Sequence, residues 1–377
     1  MHNEQGDWME NIKIGIVSAD QDYSKALGLS LMSVCDDFII GYYDTRHFIS
    51  EWNAYKGEDT YNEQFDIILW DGKEVADTYC GNIILLAEKA SLVKMDFDAK
   101  KFSLYKYCGA AAMTASIFEV YTCLTGRGTV FIRKDKVNLI AFGSWEGGAG
   151  CSTITLAVAQ EMRRFRGSRV LVISLETVES TLKFFEYVPE LKCIGEYLYR
   201  VLPEETITGE RVTPFIDSYI VRDLYGIEAF APSKSKNPLV DLEKLEIQKF
   251  IASLIDSGRY DAILIDMGTC LTNAAMAAME MAGKTCFVTR SFAMTKREEM
   301  YLSHVLFCMG DESFKKAVRL TNMCRDKRLA GENPFINVHA AVREYDTADV
   351  FSEPHQIMLE GAFGEDVRKL TEELLKG

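Results

Sequence analysis

The segment Ala141-Phe-Gly-Ser-Trp-Glu-Gly-Gly-Ala-Gly-Cys-Ser-Thr153 sets Gly147, Gly148 and Gly150, then the hydroxyls of Ser152 and Thr153, between an apolar run and a segment of helical length. Strand, glycine-rich turn and helix is the geometry of a phosphate cradle. The glycines let successive backbone N–H groups, those of Ala149 and Cys151 among them, turn inward. A helix opening near Ser152 adds partial positive charge where β- and γ-phosphates would lie. Ser152 has the hydroxyl a Mg²⁺ ion needs, and Thr153 one for a phosphate. Glycine-rich strand ends also occur without ligands, so spacing alone leaves a relic loop that binds nothing open. A second set is Asp20, Asp71 and Lys106, which follow or end the apolar runs Ile12–Val17, Ile67–Asp71 and Ser103–Lys106. In a parallel sheet the carboxyl ends of such strands meet at one crevice.

The elements that must position these groups form two series. Apolar runs at Ile12–Val17, Phe38–Tyr42, Ile67–Asp71, Ile83–Ala87 and Ser103–Lys106 alternate with helical segments, which predicts a doubly wound, mostly parallel sheet over residues 9–123. Glycines and charge between Leu124 and Lys136 place a linker at 124–136. A second α/β sheet over 137–377 is predicted from Val137–Phe142, Val170–Ser174, Ile227–Ala231, Ala262–Asp266, Cys286–Thr289, Val318–Thr321 and Phe335–Val338.

Glu-Gly-Gly-Ala-Gly-Cys-Ser-Thr (146–153) resembles the deviant Walker A loop, KGGxGK[ST][ST], of the MinD/ParA family. Tyr260-Asp-Ala-Ile-Leu-Ile-Asp266 is similar to the family's Walker B strand, which implies that Asp266 serves the Mg²⁺ held by Ser152 through water. Leu320-Thr-Asn322 resembles the strand end whose Asn faces adenine, and Arg169–Glu176 stands where the family's switch I segment ends in Asp-x-Asp. The resemblance therefore implies an ATP and Mg²⁺ site, with backbone groups of Gly147–Thr153 on the phosphates, Asn322 on the base, and Glu176 as the one candidate for a catalytic acid.

Two departures set the expected activity. Glu146 stands where the family has the lysine that reaches across a nucleotide sandwich dimer, and Cys151 stands where it has the P-loop lysine. A charge-assisted hydrogen bond to phosphate is worth about 1.5–3 kcal/mol, so each loss weakens binding roughly ten- to a hundredfold unless Lys234, Lys236, Arg290 or another cation substitutes. Hydrolysis suffers more, because the lysine charge acts on the transition state. The expectation is an ATP binder that is at most a weak ATPase.

The first series resembles a response-regulator receiver, with Asp71 as phosphoacceptor, Asp20 as Mg²⁺ ligand and Lys106 as the stabilising cation. It is an atypical one: the acidic pair has shrunk to Ala19-Asp20, strand four ends in Leu86-Ala87 without a hydroxyl, and Tyr107 replaces a proline. A receiver-like domain fused to a MinD/ParA-like one resembles the TadZ/CpaE proteins of Tad (Flp) pilus systems. That resemblance implies a cytoplasmic homodimer closing on ATP, which positions pilus or secretion machinery at the pole. A DNA-partitioning ATPase and a phosphorylation-controlled response regulator are the alternatives.

The remaining features are bland. A net charge of −14 over 377 residues argues against a nucleic-acid coat, although Arg163-Arg-Phe-Arg-Gly-Ser-Arg169 is a local basic cluster. Ten cysteines without a CxxC pair, no zinc spacing and no apolar stretch of ~18 residues point to a reduced, non-membrane chain. The stripe Val367, Leu370, Leu374 and Leu375 predicts a terminal helix that packs on its own sheet.

Overall fold

The computed structural model describes residues 11–54, 65–72, 82–89, 92–97, 99–125, 137–179, 183–185, 192–202, 216–233, 235–269, 271–325, 333–352 and 356–376. They form two compact units, one built on the residues up to Thr125 together with Arg164–Gly167, the other on the remaining residues from Val137 onward. Most of the expected 124–136 linker lies outside the described residues, while Leu124 and Thr125 continue a helix.

The first unit runs β1 (Ile12–Ser18), α1 (Gln21–Met32), β2 (Phe38–Tyr43), α2 (Thr45–Ala54), β3 (Ile67–Asp71), β4 (Ile83–Ala87), β5 (Lys94–Asp96), β6 (Lys101–Tyr105) and α3 (Ala110–Thr125). The five anticipated strands pair in parallel in the order β2-β1-β3-β4-β6, a flavodoxin-like doubly wound sheet. Runs such as Ile67–Trp70 are wholly buried, as strands covered on both faces must be. Reversal of the order at β1 and β3 opens the crevice where Ser18 and Asp71, partners in register, end their strands. Lys106 falls one residue past β6, its N–H donating to the Ala87 carbonyl at 2.9 Å. The short antiparallel strand β5 was not anticipated. Its three residues carry no periodicity, and it is held by buried Met95 and by the Ser103 hydroxyl, which accepts from the Lys94 N–H at 2.6 Å.

The second unit continues with β7 (Asn138–Gly143), α4 (Cys151–Arg166), β8 (Val170–Ser174), α5 (Ile194–Val201), β9 (Ile220–Arg222), β10 (Glu228–Phe230), α6 (Lys244–Asp256), β11 (Ala262–Asp266), α7 (Asn273–Met281) and β12 (Lys284–Thr289). It ends with α8 (Lys296–Met309), α9 (Glu312–Lys315), β13 (Ala317–Cys324), β14 (Val338–Arg343), α10 (Thr347–Val350), the hairpin β15 (Phe351–Ser352) and β16 (Gln356–Ile357), and α11 (Ala362–Leu375). Its main sheet has the order β14-β13-β12-β7-β11-β8-β10-β9, parallel except for the β9 edge. The fold class is thus α/β with two doubly wound, mostly parallel sheets. The central strands β8 and β11 are buried at every residue, which their Val/Ile/Leu runs dictate. In α11, Val367, Leu370 and Leu374 are buried, and Asp366 takes a two-pronged ion pair from Arg343 of β14 at 2.8 and 2.9 Å.

One strand assignment needs correction. The run Phe335–Val338 is not the last strand, which instead starts at Val338. The Asn333 side chain accepts from the N–H groups of Phe335 and Ile336 at 2.9 and 3.1 Å, satisfying in a turn the donors a sheet would otherwise take. Asn333 also donates to Glu298, whose carboxylate holds Arg319 at 2.6 and 3.0 Å. These two side chains are 0% and 1% exposed.

This buried pair fastens α8 to β13, and removing one partner strands the other charge in the interior. Glu298→Ala is expected to lower stability by about 3–5 kcal/mol, read by urea unfolding. A change below 1 kcal/mol would show that water reaches Arg319.

Candidate functional site

Four strand ends meet around the glycine loop. Strand β7 lies between β11 and β12, and β11 lies between β7 and β8, so the loop after β7 faces the ends of all three. Trp145 anchors the loop's start: its ring is 1% exposed and lies about 6 Å from those of Phe287 and Tyr301. The Ser144 hydroxyl donates to the Glu146 carbonyl at 2.8 Å, and the Ser144 N–H donates to the Gly268 carbonyl at 2.9 Å. Beyond this anchor, Gly148 and Gly150 adopt φ of +73° and +85°, a region costly to any residue with a Cβ. The helix α4 opens at Cys151, one residue earlier than expected.

Glu146 does not extend outward. Its Oε1 accepts from the Thr289 hydroxyl at 2.8 Å and from the Arg290 N–H at 2.6 Å, tying the loop to the end of β12. Cys151 is buried, its thiol donating to Asp266 Oδ1 at 3.4 Å. Burial, with the Asp266 charge beside it, pushes this thiol well above its ordinary pKa. Neither residue brings positive charge to the loop.

Asp266 ends β11 with no exposed surface. Burial raises its carboxyl to about 6; the neighbouring Glu176 charge adds to this, while the Ser152 hydroxyl, the Gly268 N–H and the Cys151 thiol oppose it. Oδ1 accepts from the Gly268 N–H at 3.0 Å, but no hydrogen bond of normal geometry reaches the buried Oδ2. An orphaned buried carboxylate oxygen beside a serine hydroxyl suits a hard divalent cation. Among the described residues no cluster of three or more His, Cys, Asp or Glu could hold a metal alone, so such a cation would need water and a ligand oxygen. Glu176 follows β8, where its Cγ would lie 3.0 Å from a Cβ placed on Gly268. The buried Asn237 side chain donates to the Ser174 and Glu176 carbonyls at 2.8 and 2.9 Å and holds that turn.

On the other side of the loop is a cavity of about 120 Å³, lined by Gly150, Thr153, Asn322, Met323, Tyr345 and Phe351 among others. Asn322 touches the loop itself, donating from Nδ2 to the Ala149 carbonyl at 2.8 Å. Its neighbour Met323 has φ +55°, at an irregularity between Thr321 and Cys324 in the pairing of β13 with β14. Of the candidate replacement cations, Lys234 lies outside the described residues and Lys236 pairs with Asp241 at 2.5 Å. Arg290 is exposed, with its backbone bonded to Glu146.

In the first unit the structure joins Asp71 and Lys106. The ammonium lies 2.8 Å from both carboxylate oxygens, and the Ser18 hydroxyl donates to Oδ2 at 2.6 Å. Asp20 is used differently: its carboxylate caps α1, accepting from the Asp22 and Tyr23 N–H groups at 3.1 and 2.9 Å. The Tyr23 ring sits 4.2 Å from the Lys106 ammonium. In the basic cluster, Arg163 and Arg169 are buried, Arg163 donating to the Tyr225 carbonyl and Arg169 gripping Asp261 at 3.0 and 3.2 Å.

The sequence reading passed over Trp145, Thr289, Ser18 and Gly268. Trp145 stood inside the glycine segment and could have been found as its anchor. The other three become visible only when strand ends are set side by side.

No family model matches the chain, and no curated protein matches it. Among solved structures it is similar to a ParA family ATPase from Chlorobium tepidum TLS at 15% identity, over 56% of this chain and 86% of that one, with a TM-score of 0.42. It is also similar to the MinC:MinD cell division complex of Aquifex aeolicus, at 13% identity over 63% and 96%, with a TM-score of 0.46. A third is the septum site-determining protein MinD of Pyrococcus horikoshii OT3 complexed with Mg-ADP, at 18% identity over 64% and 96%, with a TM-score of 0.45. At these values the likeness by itself assigns neither ligand nor partner to this chain. No described helix is long and apolar enough to cross a membrane.

The state of Asp266 sets a pH dependence. The unfolded chain releases this proton near 3.8 and the folded chain near 6, so the folded form binds it more tightly. Stability should therefore fall as pH rises from 4 to 6, by up to about 1.4 kcal/mol per unit, and level off above. In metal-free buffer Asp266→Asn should remove this loss, unfolding at a higher temperature than wild type at pH 7.5 and at the same temperature near pH 4. Equal melting temperatures at pH 7.5 would contradict the buried, unpaired carboxylate.

Proposed function

We propose that the second unit is a Mg·ATP-binding switch with slow or absent turnover, in a chain that works as a localisation scaffold. The observation that carries this reading is the pairing of a left-handed glycine loop with a buried, orphaned carboxylate oxygen beside Ser152. Backbone N–H groups of Gly147, Gly148, Ala149, Gly150, Cys151, Ser152 and Thr153 would receive the phosphates, together with the Thr153 hydroxyl. Ser152 and, through water, Asp266 would hold Mg²⁺, which neutralises phosphate charge when bound. The cavity beside Asn322 would take the base.

Slow turnover follows from the charges. Glu146 is folded back onto Thr289 and Arg290, and Cys151 is neutral and buried, so neither position supplies a cation to the charge that develops in phosphoryl transfer. Glu176, whose charge acts on Asp266, would orient the attacking water. Binding without hydrolysis suits a protein whose nucleotide stabilises one association state. A homodimer closing on ATP is the form we propose, with the first unit as a docking module. By its likeness to TadZ/CpaE proteins the chain would position pilus or secretion machinery at a cell pole. Burial of Arg163 and Arg169 within the second unit counts against the DNA-partitioning alternative. The Asp71–Lys106 pair supports a second reading, phosphoryl acceptance by the first unit, which incorporation from acetyl phosphate, lost in Asp71→Ala, would carry.

Calorimetric titration with ATP, with and without Mg²⁺, paired with light scattering tests the proposal. Mg²⁺-dependent binding with a doubling of mass, and phosphate release far slower than one per minute, is the expected result. Cys151→Lys should tighten ATP roughly ten- to a hundredfold. No binding at millimolar ATP would make the loop a relic.

A further inference from the structure

Resting on the phosphate-loop reading above, we infer that Asn322 is a positioning residue for that loop and supports phosphate binding independently of any base. The side chain is 6% exposed, and both halves of its amide are engaged by backbone. Nδ2 donates to the Ala149 carbonyl at 2.8 Å, and Oδ1 accepts from the Met323 N–H at 3.0 Å. The approach to the loop is close: a Cβ on Gly150 would lie 2.5 Å from Nδ2.

The consequence lies in the Ala149–Gly150 peptide. In a planar trans peptide the C=O and N–H point in opposite directions. Holding the Ala149 carbonyl toward Asn322 therefore aims the Gly150 N–H away from it, to the inner side of the loop, where an anion would sit. If this peptide rotated, it would present a carbonyl oxygen to the phosphates instead of an N–H. Gly150 at φ +85° has the freedom to rotate, so the orientation needs an external tie. In a loop without its lysine, the aim of each N–H carries a larger share of the binding. Strain at Met323, whose φ of +55° is unusual for a residue with a side chain, sets Asn322 in its place at the irregular end of β13.

The cavity beside Asn322 is lined by the polar Thr153, Thr347, Arg343 and Tyr345 and by apolar side chains such as Ile154 and Phe351. Base contacts there and the aim of the loop are separate contributions, and a ligand without a base isolates the second.

Calorimetry with Mg²⁺ and, separately, ATP, GTP and inorganic tripolyphosphate tests this on the full chain. In the wild type tripolyphosphate should bind, since the aimed N–H groups grip phosphate without a base. Asn322→Ala should weaken all three ligands alike by about three- to tenfold, the loss of one neutral hydrogen bond. It should do so at unchanged stoichiometry, which separates a misaimed loop from a partly unfolded sample. A variant that loses ATP selectively while tripolyphosphate binding stays intact overturns the inference. If the wild type binds none of the three, the phosphate-loop reading falls and this inference with it.

Discussion

A carboxylate at the fully buried end of a central strand is the constraint around which the second unit is arranged. Asp266 sits where β7, β8 and β11 run side by side, and burial resists its charge. The fold meets that cost in part: Gly268 and Cys151 donate to one oxygen, and Ser152 stands by the carboxyl. The other oxygen is left without a well-formed hydrogen bond. Natural interiors rarely leave such a group unanswered unless a ligand, ion or reaction uses it. The opening of α4 and the turn held by Asn237 both bear on that carboxyl, through Cys151 and Ser152 and through the Glu176 charge.

The charge balance of the loop follows from the same geometry. Where a lysine would meet phosphate, this chain has a thiol hydrogen-bonded to the buried acid, and where a second lysine would reach outward it has a carboxylate latched to β12. Both substitutions stiffen the loop from within while removing cations. On the proposed reading the result is a cradle defined by backbone direction and helped by a divalent cation, which suits a binding switch more than a catalyst.

Much of this could be read from the sequence, for physical reasons that differ by region. Strands buried on both faces declare themselves as unbroken Val/Ile/Leu runs, which is why β3, β8 and β11 were found nearly to the residue. The loop was legible because glycine adopts the φ of Gly148 and Gly150 at the least cost. Lys94–Asp96 escaped because a three-residue edge strand has no period, and Phe335–Val338 misled because Asn333 diverts its N–H groups into a turn. Side-chain direction was the least legible: spacing put Asp20 near Asp71, but its carboxylate is taken by the helix it caps. Likewise Arg163 and Arg169 look like a basic surface in the sequence and are buried in the fold. The Glu146 latch depends on Thr289, 143 residues away, and no local pattern announces it.

The most direct measurement is electron paramagnetic resonance of Mn²⁺ standing in for Mg²⁺, recorded on the full chain with and without ATP, and on Asp266→Asn. The account predicts a protein-bound Mn²⁺ signal that appears only with ATP, shows coupling to phosphate phosphorus, and is lost or greatly weakened in the variant. Mn²⁺ bound equally without nucleotide, or ATP bound with no involvement of the metal or of Asp266, would contradict it.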